Sequence, residues 1–182
     1  MILETERLIL RLWREDDRDG FAALQGDPIV RRFFPSTLSR AEADAQFDFH
    51  LSVQQSTTDP HFRVLTTHDG TFVGLLGIAA IPDIIRDVIP SRPEVEIGWV
   101  INTKFWGQGL APEGARACLD YAWTLGIPEV VAFTARINMP SRRVMEKIGM
   151  IRTPGDDFEH PRIAPGHPLR PHVLYRIANP AS

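Results

Sequence analysis

The stretch Glu96-Ile-Gly-Trp-Val-Ile-Asn-Thr-Lys-Phe-Trp-Gly-Gln-Gly-Leu-Ala-Pro-Glu113 decides the fold. Its branched and aromatic residues suit a strand over 94–101, after which Gly107 and Gly109 open a loop. Pro112 fits the first turn of a helix, where its missing N–H leaves no hydrogen bond unmade. Strand, glycine loop and helix in this order turn several backbone amides toward one point, with the positive end of the helix dipole behind them. Such a point is an anion site suited to phosphate. Two nucleotide readings fail, because no Gly-Lys-Ser/Thr follows the glycines and the Gly-x-Gly-x-x-Gly of a dinucleotide loop is incomplete.

Downstream, Ala111, Ala115, Cys118, Leu119, Ala122 and Leu125 recur at helical spacing and define one apolar face, and Gly126 ends the helix. A strand follows at 130–137, then a short helix over 138–149 with Pro140 near its start and Gly149 at its end. Strand, helix, strand is a βαβ unit, which predicts a parallel pair with a right-handed crossover. Upstream, residues 7–13 read as a first strand. Asp16 and Asp17 open a helix with Phe21, Ala22 and Leu24 on its apolar side, ended by Asp27-Pro28. Ser39-Arg-Ala-Glu42 is a capping box that opens a second helix to about Val53. Strands at 62–67 and 72–81 flank His68-Asp-Gly70, a hairpin signal. Three prolines predict a loop over 82–93, and a Pro-, Gly- and His-rich tail over 154–171 precedes a last strand at 172–177. With no repeat or linker, residues 1–182 read as one α/β domain.

Twenty basic and 23 acidic side chains leave a net charge of -3, so no global field draws the chain to nucleic acid or anionic lipid. Cys118 is the only cysteine, which excludes an intramolecular disulfide and a cysteine-rich metal site and fits a reducing compartment. The N-terminus alternates charged and apolar residues without a leader-like pattern, and the longest apolar run is half a membrane span. A cytoplasmic protein, monomer or homodimer, is expected, with no membrane or nucleic-acid partner.

Gly107-Gln-Gly-Leu-Ala111, the helix after it, and Asn138-x-x-Ser141 leading to Glu146-Lys-Ile-Gly149 resemble the GNAT superfamily of acyl-CoA-dependent N-acyltransferases, in particular its RimJ/RimL type. The resemblance includes the opening Glu4-Thr-Glu-Arg-Leu-Ile-Leu-Arg11 and covers nearly the whole chain. Trp106 stands where many relatives have arginine before the first glycine, a substitution familiar in the RimJ/RimL branch. The resemblance implies a single mixed, mostly antiparallel twisted sheet with a central parallel βαβ unit and about four flanking helices. It also implies acetyl-CoA as cosubstrate, with no metal. The loop of Gly107, Gln108, Gly109, Leu110 and Ala111 would hold the CoA pyrophosphate. Backbone groups of Val100 and Ile101 would pair with the pantetheine arm and polarise the thioester, with Asn138 contacting the arm from the opposite strand.

Acyl transfer to an amine requires the neutral amine, and most of an α-amine or lysine is protonated at neutral pH. A nearby carboxylate serves as base. Glu96 holds the position the superfamily often gives that base, and Glu94 shares its face at period two. Both glutamates fit equally a solvated sheet face. The departing thiolate needs a proton donor, which many relatives supply as a tyrosine, but Met145 stands there. Ser141, one turn earlier on the same helix face, is the expected donor, as RimJ/RimL-type enzymes are thought to use such a serine. The cluster Arg31, Arg32, Phe33 and Phe34, between the first two helices, either shapes an acceptor pocket from basic and aromatic groups, or its phenylalanines pack the helices on the sheet. Glu159 and His160 are further candidates for the acceptor side. His160, His167 and His172 are too irregularly spaced to read as a metal site. Arg142 and Arg143 fit either a phosphate contact or a solvated helix face. The expected activity is acetyl transfer to a primary amine, a protein N-terminus or alternatively a polyamine, amino acid or aminoglycoside, by direct attack in a ternary complex. The contrasting expectation is a non-catalytic CoA-binding regulatory protein.

Overall fold

The computed structural model describes residues 2–56 and 61–181. One sheet of nine strands organises it: β1 (Leu3–Glu4), β2 (Leu8–Arg11), β3 (Arg63–Thr67), β4 (Phe72–Ala80), β5 (Val95–Ile101), β6 (Glu129–Ala135), β7 (Ile151–Arg152), β8 (Phe158–Glu159) and β9 (Pro171–Ala178). The order is β1-β2-β3-β4-β5-β6-β9-β7, with β8 also on β9. Every pairing is antiparallel except β5 with β6, which the βαβ reading predicts. The hairpin at Asp69-Gly70 joins β3 to β4, with a register shift at Leu65/Thr66.

The helices are α1 (Arg18–Gly26), α2 (Arg40–Ser56), α3 (Asp83–Arg86), α4 (Leu110–Thr124) and α5 (Met139–Lys147). The capping box forms as expected: Glu42 accepts from the Ser39 backbone at 2.8 Å, and the Ser39 hydroxyl accepts from the Glu42 amide at 3.3 Å. The predicted loop over 82–93 needs correction, since α3 forms inside it. Pro82 precedes the helix in extended geometry and its carbonyl accepts from the Ile85 and Arg86 amides, so proline starts the turn instead of breaking it. Leu125 also departs from the predicted apolar face of α4: it follows the last turn and is 45% exposed.

Strand alternation divides the core by sheet face. Ile97 and Ile101 of β5, Val130 and Ala132 of β6 and Val173 and Tyr175 of β9 pack with α4 on one face. Val131 and Phe133 of β6 and Leu174 of β9 point the other way, into a cluster with Ile85, Ile89 and Phe158. On that second face α1 and α2 meet around Trp13, whose ring is edge-on to Phe21 at 5.3 Å and to Phe47 at 5.5 Å. The tail is fixed to the sheet at one guanidinium. Arg176 of β9 pairs with Glu129 at 2.9 Å and with Asp156, donates to the Thr153 hydroxyl at 2.9 Å and to the Ser91 hydroxyl at 3.0 Å.

Candidate active site

β5 and β6 share a single registered pair, Glu96 opposite Val131, and separate beyond it. A cavity of about 800 Å³ opens at this separation. Its lining includes Glu96, Val100, Ile101, Gly107, Gly109, Leu110, Ala111, Asn138 and Ser141, and also Phe33, Phe34 and His160. Residues predicted from four distant parts of the chain therefore meet at one concave site.

Gly107 (φ +76°) and Gly109 (φ +79°) both take the left-handed conformation that glycine adopts without strain, and Gly109 caps the fifteen-residue helix α4. The loop is held from outside by Arg7. Its Nη1 donates to the Gln108 carbonyl at 2.9 Å, while its Nε and amide donate to Glu113 at 2.7 and 2.9 Å. Thr5 adds a hydroxyl donor to the same carboxylate at 2.6 Å. Burial of Glu113 opposes ionisation, but the hydrogen bonds from Thr5 and Arg7 outweigh it and hold the carboxyl below its usual range. A trans peptide sets C=O and N–H on opposite sides, so the Gly109 N–H points away from Arg7. Gln108 itself is outside the lining: its side chain donates to the Lys104 carbonyl at 3.0 Å.

The main chain of β5 corrects one expectation. The Asn102 amide donates to Val73 of β4 at 2.9 Å, and in an antiparallel pair residues facing one neighbour recur every second position. Val100 therefore spends its backbone on β4 and gives the cavity its side chain. The groups facing the separation are those of Trp99 and Ile101, and the Ile101 carbonyl already accepts from the Trp106 indole at 2.8 Å. Trp106 thus braces the loop against the end of β5.

Glu96 points to the face opposite Ile97, toward α1 and α2, and its packed surroundings push its carboxyl up to about 7. Desolvation is the cause, since removal from bulk water disfavours the charged form. Glu94, predicted to share its position, lies before the start of β5, is exposed, and is absent from the lining. Glu159 is likewise outside the cavity and pairs with Arg170 at 3.1 Å.

At the start of α5 the Asn138 side chain caps the helix, accepting from the Ser141 amide at 3.3 Å. Its amide group donates to the Thr134 hydroxyl at 2.9 Å and to the Ser141 hydroxyl at 3.0 Å. Ser141 Oγ thus accepts from Asn138, and among the described residues no group takes its proton, which is free to be donated into the cavity. Met145 on the same helix face is buried in the core, while Arg143 lines the cavity. Arg142 is not a solvated side chain, because it donates to the Tyr175 hydroxyl at 3.2 Å and the Arg136 carbonyl at 3.1 Å.

Sequence reasoning missed several lining residues, including Phe133, Thr134, Arg162 and the cavity role of His172. The rings of His160 and His172 lie 4.8 Å apart, and burial first, then neighbouring positive charge, lowers His160 to about 4. Among the described residues no group of three His, Cys, Asp or Glu is arranged to hold a metal. Cys118 lies on the buried face of α4, and burial pushes its thiol up to about 12, too high for a nucleophile at neutral pH.

Parallel strands thus separate beside a glycine loop at a helix N-terminus, with the Glu96 carboxyl in the cavity lining. The acetyltransferase (GNAT) domain family matches residues 7–151, and the chain belongs to that family. Its domain is an acetyl-CoA-dependent N-acetyltransferase. It is 41% identical over 150 residues to an FsC-acetyl coenzyme A-N(2)-transacetylase of Aspergillus fumigatus, a match covering 81% of this chain and 64% of that longer relative. The chain thus spans just under two thirds of that relative. In structure it is similar to a GNAT-family acetyltransferase of Bacillus anthracis, with TM-score 0.79, 24% identity and coverage of 98% and 99%. It is also similar to RimL, a ribosomal L7/L12 alpha-N-protein acetyltransferase solved with coenzyme A, with TM-score 0.77, 16% identity and full coverage of both chains. No helix among the described residues is long and apolar enough to cross a membrane.

Proposed function

We propose that residues 1–182 act as one cytoplasmic acetyltransferase domain that moves the acetyl group of acetyl-CoA to a primary α-amine by direct attack in a ternary complex. The observation that carries this reading is Glu96, which lines the cavity at the last registered pair before β5 and β6 separate, with its carboxyl pushed up to about 7. A base with that pKa accepts a proton from an ammonium of pKa about 8 with little loss of driving force at neutral pH. Glu96 takes the proton from the amine, directly or through water. The Trp99 and Ile101 amides face the thioester carbonyl and offset the charge that develops on its oxygen. Ser141 donates to the departing thiolate. The amides of Gly109, Leu110 and Ala111, backed by the α4 dipole, receive the pyrophosphate.

A protein N-terminus is the first acceptor reading, as in the name of RimL. A small α-amino compound is the second, favoured by the N(2) position in the name of the 41% identical relative. The test is release of free thiol from acetyl-CoA with peptides bearing a free N-terminus, against the same peptides blocked there. Release with the free amines alone supports transfer. Tight CoA binding with background release from every amine supports a CoA-binding regulator instead.

The Arg7 contact gives a separate prediction. Arg7→Met frees the Gln108 carbonyl, so the Gly109 amide loses its fixed aim at the phosphate. Calorimetric titration should show acetyl-CoA affinity reduced about three- to tenfold, while stability falls by no more than about 1 kcal/mol because the ion pair is half exposed. Unchanged affinity would remove Arg7 from the positioning role.

A further inference from the structure

The charges around the cavity are unbalanced. Among the described residues Glu96 is the only carboxylate in its lining, yet Arg31, Arg32, Arg143, Lys147 and Arg162 all line it. Many arginines elsewhere are neutralised, among them Arg7, Arg11, Arg18, Arg40, Arg152 and Arg176, each paired with a carboxylate. Among the described residues the five cavity cations meet none. A protein of net charge -3 therefore carries a strongly positive hole.

The fold sorts these cations into two groups. Arg143 and Lys147 sit on α5, whose Met145 packs with α4, and so lie on the donor side near the glycine loop. Arg31 and Arg32 come from the turn between α1 and α2, and Arg162 from the tail beside His160. Phe33 packs with Ile163 and Leu169, which brings that turn and the tail together over the face to which Glu96 points. Arg31 stacks on Phe34 at 4.0 Å and is held by Gln25 at 2.9 Å and the Ser36 carbonyl at 3.0 Å, neutral partners that fix its position and leave its charge. Arg32 stacks on Phe33 at 4.7 Å and on Trp106 at 4.5 Å. Arg162 is exposed at the cavity edge. Phe33, Phe34 and Phe133 supply apolar wall between these charges.

We propose that the acceptor is a primary amine whose remainder carries a carboxylate and an apolar or aromatic body, with no second cationic group. This rests on the acetyltransferase reading and narrows its acceptor. The reacting amine goes to Glu96, its carboxylate to the rim formed by Arg31, Arg32 and Arg162, and its body to the phenylalanine wall. Polyamines and aminoglycosides are turned away, because every additional ammonium meets like charge with no carboxylate to receive it.

Thiol release from acetyl-CoA is followed with phenylalanine, phenylalaninamide, spermidine, and two peptide amides, Ser-Glu-Phe and Ser-Lys-Phe. Phenylalanine should exceed phenylalaninamide, or Ser-Glu-Phe exceed Ser-Lys-Phe, by about tenfold or more in kcat/KM, with spermidine at background. The first contrast identifies a free amino acid and the second an acidic N-terminus as the source of the carboxylate. Arg162→Glu, at an exposed position that spares folding, should reverse the favoured contrast through the acceptor KM while the acetyl-CoA KM stays within about twofold. Spermidine turnover above the carboxylate-bearing probes, or a contrast that Arg162→Glu leaves unmoved, overturns the proposal and leaves the transferase reading standing. Background release from all five probes and from every other free amine overturns both.

Discussion

Replacing Glu96 by glutamine is expected to lower kcat/KM at pH 7.5 on the order of 10²- to 10⁴-fold, the range of a positioned general base. Acetyl-CoA affinity should change little, since the glutamine is isosteric and lies on the acceptor side of the separation. The deficit should be greatest above pH about 7, where Glu96 is ionised while the amine is still mostly ammonium, and shrink toward pH 10, as the amine loses its proton unaided. The wild-type rate should rise through pH about 7 as Glu96 ionises. Stability moves the other way. The folded-state pKa lies above the ordinary value of 4.5, so the folded protein binds the extra proton and loses stability as pH rises from about 4.5 through about 7. Glu96→Gln removes that cost and should leave the protein more stable than wild type at pH 8, by at most about 3 kcal/mol, and nearly equal to it at pH 5. Thermal unfolding at the two pH values reads this directly. Equal stability at pH 8, with an unaltered pH–rate profile, would remove Glu96 as a desolvated base.

Gly74→Ala should have the largest effect on folding. A Cβ built at Gly74 would lie 2.1 Å from the Val100 carbonyl oxygen and 3.1 Å from the Ile101 Cα, and the backbone there (φ +153°) already disfavours a side chain. Something must move, and both neighbours are backbone of β5 at the point where it leaves β6. Strain and overpacking together should cost about 3–5 kcal/mol. Because the displaced segment carries the Trp99 and Ile101 amides, acetyl transfer should fall as well, even far below the unfolding temperature. A variant with wild-type melting and rate would show that β5 can shift freely.

Local chemistry explains what was legible in the sequence. The Ser39–Glu42 box, the Asp69-Gly70 hairpin and the strand–glycine–helix order each depend on residues a few positions apart, and each appears where expected. The four-residue helix at Asp83 was hidden because proline both starts and stops helices, and composition alone does not say which. Glu94 looked equivalent to Glu96 by period two, but that rule applies only inside a strand, and Glu94 precedes it. Val100 was expected to turn its backbone to the cavity, but that backbone faces β4, since which way an amide faces depends on its partner strand. The positive cavity was legible only in part: Arg31, Arg32 and Arg143 stood out as candidates, but Lys147, Arg162 and the meeting of all five were hidden because they come from three distant segments and a net charge of -3 conceals them.

The guanidinium of Arg176 fastens one end of the segment that brings His160 and Arg162 to the cavity. It holds the tail at Asp156, the pairing of β8 with β9 holds the next residues, and the segment over 160–170 between these ends is seated by Ile163 and Leu169, buried against Ala135 and Phe33. The donor half is assembled from β5, the glycine loop, α4 and α5 and does not draw on that segment for its backbone. Grafting a foreign segment between those ends should retarget the catalyst to new amines while the machinery for acetyl-CoA is inherited intact, which makes this stretch of eleven residues the natural place for specificity to diverge or be engineered.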